Sequence, residues 1–489
     1  MAITTPQCTG RVVASFRAAL ETLLAGGEPS EWESFEPIKT SKVRTILKGE
    51  IAGVPVHLKL FRAVRLSDRA RDALAGSRGE REMSNLLEAR SRGIAVVEPI
   101  AAGRVRGSFG SRSFLITTSA PGAALPRGPL DPATAARVGT FLRTAHDKGL
   151  RARDLHPGNL LADASGSIAL LDLTSATLGA TLEPEERAQA LAFFCQDLDG
   201  GVLHPAALPL LDSYGISDAM RARAFSAGLS LRRRALVAFG KRALRACKHT
   251  LVTRGSGGAR EFHHVAGSAL VPAAQELLAR LASVEPLRVG RRGGVWLHTD
   301  LVVKQRTRAA ARRLFAASYL LSFANVPGPL PVLLRLETGR GLVVTRRIHR
   351  PSLAVEIAQG TVDLLAAAHS LGDSFGRLHA HGLRNRAAKL ENLVFDPDTA
   401  SICFVDLDGI RLRGSKDLRG QGADLGRLLA AVRAAVSHVP RMEALRALAT
   451  FRKSYTAARL CLSHTKPSSH LWILAARRAD AWRTAHEST

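Results

Sequence analysis

Three oxygen-bearing side chains recur at a spacing that suits phosphoryl transfer. Asp154 and Asn159 lie five positions apart in the segment RDLHPGNLL, and Asp172 ends the apolar run that follows. Phosphoryl transfer needs one carboxylate to accept the proton of an attacking hydroxyl, and an amide and a second carboxylate to hold magnesium against nucleotide phosphates. The three residues have the types for these tasks. The same letters also fit an ordinary solvated turn, because His-Pro-Gly-Asn is common turn chemistry.

An upstream segment offers a cation for the same chemistry. GVPVHLKLF alternates like a strand, so that Leu58 and Leu60 share one face and Lys59 lies on the other. Lys59 is therefore a candidate to reach nucleotide phosphates from a strand, although a surface lysine is the commoner occurrence.

The following segment, RARDALAGSRGEREMSNLLEARSRG, predicts a helical stretch that ends at Gly93. A kinase-like site orients its strand lysine through an ion pair with a glutamate on the next helix. We expect Glu82 to be the partner of Lys59, with Glu80 as the alternative. The sequence has no glycine-rich GxGxxG loop to cover the phosphates, which weakens the match to classical protein kinases.

The rest of the first half supplies elements that would position these residues. Further strands lead to a hinge near residues 120–122, and a helix is expected to start at an Asp131 cap with Pro132 in its first turn and to end before Gly149. The order is a small sheet with a lysine, a helix with a glutamate, a hinge, a helix, and a loop with the acidic residues. This order predicts an α+β fold of the bilobal protein-kinase-like type.

The second half repeats the first. LHAHGLRNRAAKLENLVF aligns with RTAHDKGLRARDLHPGNLL, and after one inserted residue VDLDG aligns with the end of the apolar run. Three residues take the places of Lys59, Asn159 and Asp172 and are candidates to bind a nucleotide: Lys304, Asn392 and Asp406. We therefore expect two tandem bilobal domains, at residues 1–250 and 251–489.

The two copies differ where chemistry is decided. Ala387 stands where the first copy has its candidate base, and no Asp or Glu lies between Lys304 and Glu337 to serve as the helix partner. The second copy keeps groups for a nucleotide and a metal but lacks a carboxylate to activate an alcohol. We expect it to be a degenerate, pseudokinase-like domain, unless Asp408 or Glu391 substitutes for the missing carboxylate.

With these residues, the chain resembles the Kdo/WaaP lipopolysaccharide kinase family, a branch of the protein-kinase-like superfamily. The resemblance rests on RDLHPGNLL with LLDL, on NRAAKLENLVF with FVDLDG, and on Lys59 with REMSNLL. It implies that ATP and Mg²⁺ are used to phosphorylate a sugar of the lipopolysaccharide core or a related glycolipid. By position, Asp154 would be the base, Asn159 and Asp172 the magnesium ligands, Lys59 the phosphate clamp and Glu82 its orienter.

Other functions fit parts of this pattern. DLHPGN also looks like the aminoglycoside and choline phosphotransferases, so the kinase fold is better supported than the glycolipid acceptor. A non-catalytic tandem pseudokinase that acts as a binding or scaffold protein, and a protein Ser/Thr kinase, are the alternatives.

Composition bounds the partners and the compartment. The 489 residues carry a formal charge of +27, which suits an anionic membrane surface or glycolipid as well as a simple arginine-rich bias. Nucleic acid is not an expected partner, because aromatic residues total 5% and do not interleave with the basic ones. The five cysteines form no close pair, and neither a secretory signal nor a membrane-spanning stretch is evident. We expect a cytoplasmic protein, with peripheral attachment to the inner membrane as a variant of that location.

Overall fold

The structure is a computed structural model that describes residues 1–4, 8–26, 29, 32, 34–64, 66–105, 112–198, 205–291, 293–463 and 466–487. The chain divides into two compact units, Met1–Gly228 and Leu229–Thr489. In the described part of each unit, a 7-stranded antiparallel sheet precedes a mainly helical region. The predicted α+β class is confirmed. The domain limits at 1–250 and 251–489 stay predictions.

The first unit begins with a sheet whose strands are β1 (Ala2–Thr4), β2 (Cys8–Val12), β3 (Glu36–Thr40), β4 (Arg44–Ile51), β5 (Val54–Arg62), β6 (Pro99–Val105) and β7 (Arg112–Thr118). Their order across the sheet is β1-β2-β6-β7-β5-β4-β3. The register places Ile46 opposite Lys59 and Arg44 opposite Phe61. Because side chains alternate along a strand, these four side chains lie on one face of the sheet.

The remaining elements of this unit follow in chain order. The helices are α1 (Arg17–Gly26), α2 (Leu66–Ala75), α3 (Arg78–Ser91), α4 (Pro132–Asp147), α5 (Pro184–Phe194), α6 (Leu208–Tyr214) and α7 (Asp218–Arg242), which contains the division between the units. The short strands are β8 (Ala123–Ala124), β9 (Leu150–Ala152), β10 (Leu160–Ala162), β11 (Ile168–Leu170) and β12 (Ala176–Leu178). Strand β10 pairs with β11 and β8, and β9 pairs with β12.

The stretch expected to form one helix before Gly93 is two helices, α2 and α3. The break lies at Gly76, whose φ of 81° belongs to the left-handed region that favours glycine. Ser77 then caps α3, with its hydroxyl accepting from the Glu80 amide and the Glu80 carboxylate accepting from the Ser77 amide. Glu80 also receives a hydrogen bond from Arg104. The alternative partner for Lys59 is therefore committed to this cap.

Helix α4 has the boundaries that its sequence predicts. The Asp131 carboxylate accepts from the Thr134 amide at 2.9 Å, and Pro132 occupies the first turn. Gly149 follows the helix at a φ of 83°, and a Cβ there would lie 2.1 Å from the Gly179 carbonyl oxygen. The chain therefore turns tightly into β9 and the loop that carries Asp154.

Two apolar clusters hold the first unit together. One packs α1 against one face of the sheet through residues such as Leu20, Val56 and Leu58. The other joins the opposite face to α3, α4 and the β10–β11 hairpin through residues such as Leu86 and Leu142. Leu58 belongs to the first cluster and faces α1. Because side chains alternate along a strand, Lys59 points to the opposite face of the sheet, the side of α3.

The second unit has a sheet formed by β13 (Thr250–Arg254), β14 (Arg260–His264), β15 (Arg288–Gly290), β16 (Gly293–His298), β17 (Leu301–Thr307), β18 (Pro331–Leu336) and β19 (Arg340–Arg346). Its order, β13-β14-β18-β19-β17-β16-β15, has the same sequence of strand ranks as the first sheet. The register places Val295 opposite Lys304.

The rest of the second unit is mainly helical. Its helices are α8 (Val271–Ala279), α9 (Arg308–Phe323), α10 (Leu353–Gln359), α11 (Leu364–Ala380), α12 (Leu418–Ala435), α13 (Arg441–Ser463) and α14 (Ser469–Glu487). Two short hairpin-like pairs join β20 (Leu383–Asn385) to β23 (Ile410–Leu412) and β21 (Leu393–Asp396) to β22 (Ser401–Phe404). Across the described parts of both units, no helix combines the length and the apolar character needed to cross a bilayer.

Candidate active site

The candidate residues of the first unit line one cavity of about 890 Å³. Lys59 reaches it from β5, Asp154 and Asn159 from the loop between β9 and β10, and Asp172 from the chain just after β11. Small-molecule sites typically have volumes of roughly 300–1,000 Å³. Four side chains that are far apart in the sequence therefore face a space large enough for a nucleotide and part of a second substrate.

Lys59 is anchored on two sides. Its ammonium donates to Glu82 Oε1 at 2.6 Å and to the Leu171 carbonyl at 2.8 Å. Glu82, on α3, is 0% exposed and Lys59 is 6% exposed. A buried charge without a partner is costly, so the pair stabilises each ion in place and fixes the direction of the lysine.

Thr174 connects Glu82 to Asp172. Its Oγ1 lies 2.5 Å from Glu82 Oε2 and 2.7 Å from Asp172 Oδ1. A hydroxyl carries one hydrogen and donates to one carboxylate at a time. Complete burial raises the pKa of the Glu82 carboxyl, and the Lys59 ammonium and the hydrogen bonds from Lys59 and Thr174 only partly offset this effect.

Thr174 is not among the residues predicted from the sequence. Its main-chain amide donates to Asp172 Oδ1 at 3.0 Å, which is the i to i+2 hydrogen bond of an Asx turn. The sequence signal for this contact was the position of the Thr two residues after the candidate metal ligand, which is the spacing of an Asx turn.

Asp172 is also bound by an arginine that sequence reasoning missed. Arg44 Nη1 donates to Asp172 Oδ2 at 2.5 Å, across a separation of 128 residues. Burial alone raises the pKa of Asp172, but the charge of Lys59, the hydrogen bonds from Thr174 and the charge of Arg44 together hold that pKa well below its ordinary value. The Asp172 carboxylate is therefore ionised at neutral pH.

The loop between β9 and β10 is fixed by its asparagine. Asn159 Nδ2 donates to the Asp154 carbonyl at 2.8 Å, and the Asn159 carbonyl accepts from the Leu171 amide at 2.9 Å. The amide nitrogen is thus engaged, which leaves Asn159 Oδ1 as an acceptor. The Asp154 side chain is exposed and lines the cavity.

These donors fit magnesium. Carboxylate and amide oxygens are the ligands that Mg²⁺ prefers, and a nucleotide-bound Mg²⁺ takes its other ligands from phosphates and water. No group of three or more His, Cys, Asp and Glu that could hold a metal alone occurs among the described residues. Asn159 and Asp172 would therefore hold the metal together with a nucleotide.

Basic side chains outnumber acidic ones around the cavity. Its lining includes the cations Lys39, Arg44, Lys59, Arg78 and Arg127 and the carboxylates Asp154 and Asp172. His156 Nε2 lies 2.7 Å from Arg127 Nη2 beside the loop of Asp154. The cavity therefore favours a polyanion, as a nucleoside triphosphate is.

The second unit repeats the asparagine contact of the loop, but its lysine is not paired with a glutamate. Asn392 Nδ2 donates to the Ala387 carbonyl at 2.9 Å, the counterpart of the Asn159 contact. Lys304 donates to Asp406 Oδ1 at 2.9 Å. Asp408, one suggested substitute for the missing base, is held by Arg306 at 2.6 Å. The other suggested substitute, Glu391, is exposed.

Comparison with known proteins gives distant matches. No family model matches the chain, and neither does any curated protein. Among solved structures, an aminoglycoside-3'-phosphotransferase of type VIII is 15% identical over 43% of this chain and 97% of its own, with a TM-score of 0.29. Two structures of WbdD, one described as a bifunctional kinase-methyltransferase, are 15% and 16% identical over 38% and 39% of this chain, with TM-scores of 0.25. The matched regions cover 47% and 49% of the WbdD chains. With scores this low, the function has to be inferred from the residues of the site.

Proposed function

We propose that the first half of the chain transfers the terminal phosphoryl group of ATP to a hydroxyl. The observation that supports this most is that Lys59, Asp154, Asn159 and Asp172 line one cavity. A buried ion pair with Glu82 also holds Lys59 in place, as a lysine that binds phosphates requires. The set contains a cation for phosphates, two oxygen ligands for a metal and a free carboxylate for a proton.

Each side chain has a task that its surroundings suit. Lys59, held by Glu82, contacts nucleotide phosphates, and Asn159 and Asp172 hold the nucleotide's Mg²⁺, which neutralises phosphate charge when bound. Asp154 accepts the proton of the acceptor hydroxyl, because its carboxylate is exposed to the cavity. The protein contributes mainly position and charge, since the transferred group carries its own reactivity.

We also propose that the chain is a tandem duplication of a protein-kinase-like domain whose second copy does not catalyse transfer. The identical strand ranks of the two sheets support the duplication. The repeated contact of Asn159 and Asn392 with the main chain five residues earlier supports it independently. Ala387 offers no carboxylate to activate an alcohol, and Lys304 is paired with Asp406 instead of a helix glutamate.

The acceptor we propose is a sugar of the lipopolysaccharide core or a related glycolipid. This proposal comes from the sequence resemblance to the Kdo/WaaP family and is compatible with the basic lining of the cavity. It places the enzyme in the cytoplasm or at the inner membrane surface.

A labelling experiment tests the function. Purified protein with Mg²⁺ and γ-labelled ATP is incubated with separated glycolipid and protein fractions, alongside Asp154→Asn as the control. We expect label in the glycolipid fraction, lost in the variant. Label in protein instead would make the chain a protein kinase. Mg²⁺–ATP binding without transfer to any fraction would favour the non-catalytic binding protein.

A further inference from the structure

Arg44 occupies an unusual place in the site. It is the first residue of β4, and the register puts it on the same sheet face as Lys59. The two cations bind neighbouring groups: Arg44 contacts the Asp172 carboxylate, and Lys59 donates to the carbonyl of the preceding residue, Leu171.

The two oxygens of Asp172 have different partners. Oδ1 accepts from the Thr174 amide and lies 2.7 Å from the Thr174 hydroxyl, which also neighbours Glu82. Oδ2 accepts from Arg44 at 2.5 Å. A metal ion that approached Oδ2 would meet the positive guanidinium at the same oxygen, and two cations within a few ångström repel strongly.

The ion pair between Arg44 and Asp172 is partly exposed to solvent. The Arg44 side chain is 29% exposed and that of Asp172 is 18% exposed, so water can solvate both groups when they separate. The Arg44 main chain stays in place, because its amide donates to Ser41 Oγ at 3.1 Å and its carbonyl accepts from the same hydroxyl at 2.9 Å. The long side chain can therefore swing about a fixed backbone.

The turn before Arg44 has no glycine to approach phosphates. Only residues 41–43, Ser-Lys-Val, separate β3 from β4 in this sheet. A glycine-rich loop would offer main-chain amides at this position. Here a guanidinium follows the turn directly, and a guanidinium binds phosphate oxygens through two hydrogen bonds at once.

The second unit has no arginine at the position that corresponds to Arg44. Val295 faces Lys304 as Ile46 faces Lys59, and two residues before Val295 the chain has Gly293 where the first unit has Arg44. Asp406 is held by Lys304 itself. The strand arginine thus occurs in the unit that keeps the candidate base.

We infer that Arg44 takes the place of the metal ion at Asp172 when no nucleotide is bound, and that Mg²⁺–nucleotide displaces its guanidinium, which then binds the phosphates. This inference rests on the proposed function. It makes Arg44 a residue for nucleotide binding that replaces part of a phosphate-binding loop.

The test compares Arg44→Met with Lys48→Met in the whole 489-residue chain. Lys48 lies on the same strand as Arg44, is exposed and does not line the cavity, so its removal takes away the same charge without touching the site. The probes are ADP and Mg²⁺, and the readouts are calorimetric binding of ADP in chelator and the Mg²⁺ concentration that gives half of the thermal shift without nucleotide.

In chelator, we expect Arg44→Met to weaken ADP binding about tenfold, because a charge-assisted phosphate contact is lost. Without nucleotide, the half-saturating Mg²⁺ concentration should fall by about threefold or more, because the competing cation at Asp172 is gone. Lys48→Met should change neither value by more than about twofold, since an exposed charge outside the cavity acts weakly.

Unchanged Mg²⁺ dependence in Arg44→Met would overturn the inference while leaving the proposed function intact. If the wild-type protein bound no ADP under any condition, the proposed function and the inference would both fail. Arg44→Lys covers the case in which the methionine variant does not fold. It keeps the charge but loses the bidentate geometry, and we expect its ADP affinity in chelator to lie between those of the wild type and the Met variant. Wild-type affinity in Arg44→Lys would exclude the bidentate contact.

Discussion

Lys59 Nζ and Glu82 Oε1 are 2.6 Å apart, and their side chains are 8% and 0% exposed. Breaking a buried pair leaves the other ion without a partner, which typically costs about 3–5 kcal/mol. We therefore expect Glu82→Gln to lower the free energy of unfolding by a few kcal/mol and to weaken nucleotide binding, measured by denaturant unfolding and by calorimetry. Glu88→Gln is the matched control, because Glu88 pairs with Arg92 on the exposed side of the same helix. Its cost should stay below about 1 kcal/mol, and equal costs for both variants would contradict the role of the buried pair.

Asp154→Asn separates chemistry from binding. The amide cannot take the proton of an acceptor hydroxyl, and general base catalysis contributes roughly 10²–10⁴-fold. We expect turnover to fall by that factor, while the thermal shift produced by Mg²⁺–ATP stays within error of the wild type, because Asp154 is not among the groups that fix Lys59 or Asp172. Asp163→Asn, in the exposed turn after β10, should leave turnover unchanged. Near-normal turnover in Asp154→Asn would show that another group is the base.

Restoring the carboxylate in the second unit should not create an enzyme. In an Asp154→Asn background, we expect Ala387→Asp to leave phosphoryl transfer at the level of the parent variant. The reason is that Lys304 remains bound to Asp406 at 2.9 Å and no helix glutamate is available to orient it. The measurement is labelled phosphate transferred to the same acceptor. A gain of about tenfold or more would show that the second site is complete apart from its base.

Stability should fall in acid because of a buried histidine. His146 is 2% exposed, and its Nδ1 lies 2.9 Å from the Tyr214 hydroxyl. Burial, assisted by the charge of Arg187, lowers the pKa of His146 to about 4 from 6.5. The unfolded chain binds a proton as the pH falls through 6.5, whereas the folded protein does not, so the stability that the neutral histidine contributes is lost between these two pH values.

The loss attributed to His146 is roughly 3 kcal/mol across that window, at about 1.4 kcal/mol per pKa unit. It is measured as the difference between unfolding free energies at several pH values. His146→Asn removes the titrating group, and its stability should depend less steeply on pH from 6.5 down to 4. A variant with the slope of the wild type would assign the acid sensitivity to other residues.

Local patterns explain what could be predicted from the sequence. The α4 boundaries follow from Asp131, Pro132 and Gly149, because capping and backbone preferences act within a few residues. The contact of Lys59 with Glu82 was expected, because a kinase-like site pairs its strand lysine with a glutamate of the helical stretch that follows. The break between α2 and α3 was missed, although Ser77 and Glu80 have the spacing of a capping box.

Contacts between distant segments could not be predicted from the sequence. Arg44 and Asp172 are separated by 128 residues, and their meeting depends on how the sheet of the first unit packs over the β10–β11 hairpin. No local preference marks Arg44 among the many arginines of this chain. Because the chain is rich in arginine, the sequence does not distinguish Arg44 from the others. The register with Phe61 shows which face of the sheet Arg44 occupies.

The shared strand order of the two sheets has a consequence for how the chain reaches its native state. A denatured molecule that refolds as one chain contains two sets of seven strands with the same order, so we expect some strands to pair at first with strands of the other half. Hybrid sheets built from both halves would be compact and hydrogen-bonded, and would have to reopen before folding could finish. During synthesis the N-terminal sheet can close before the second one has left the ribosome. The protein should therefore be recovered far more efficiently from cells than from denaturant.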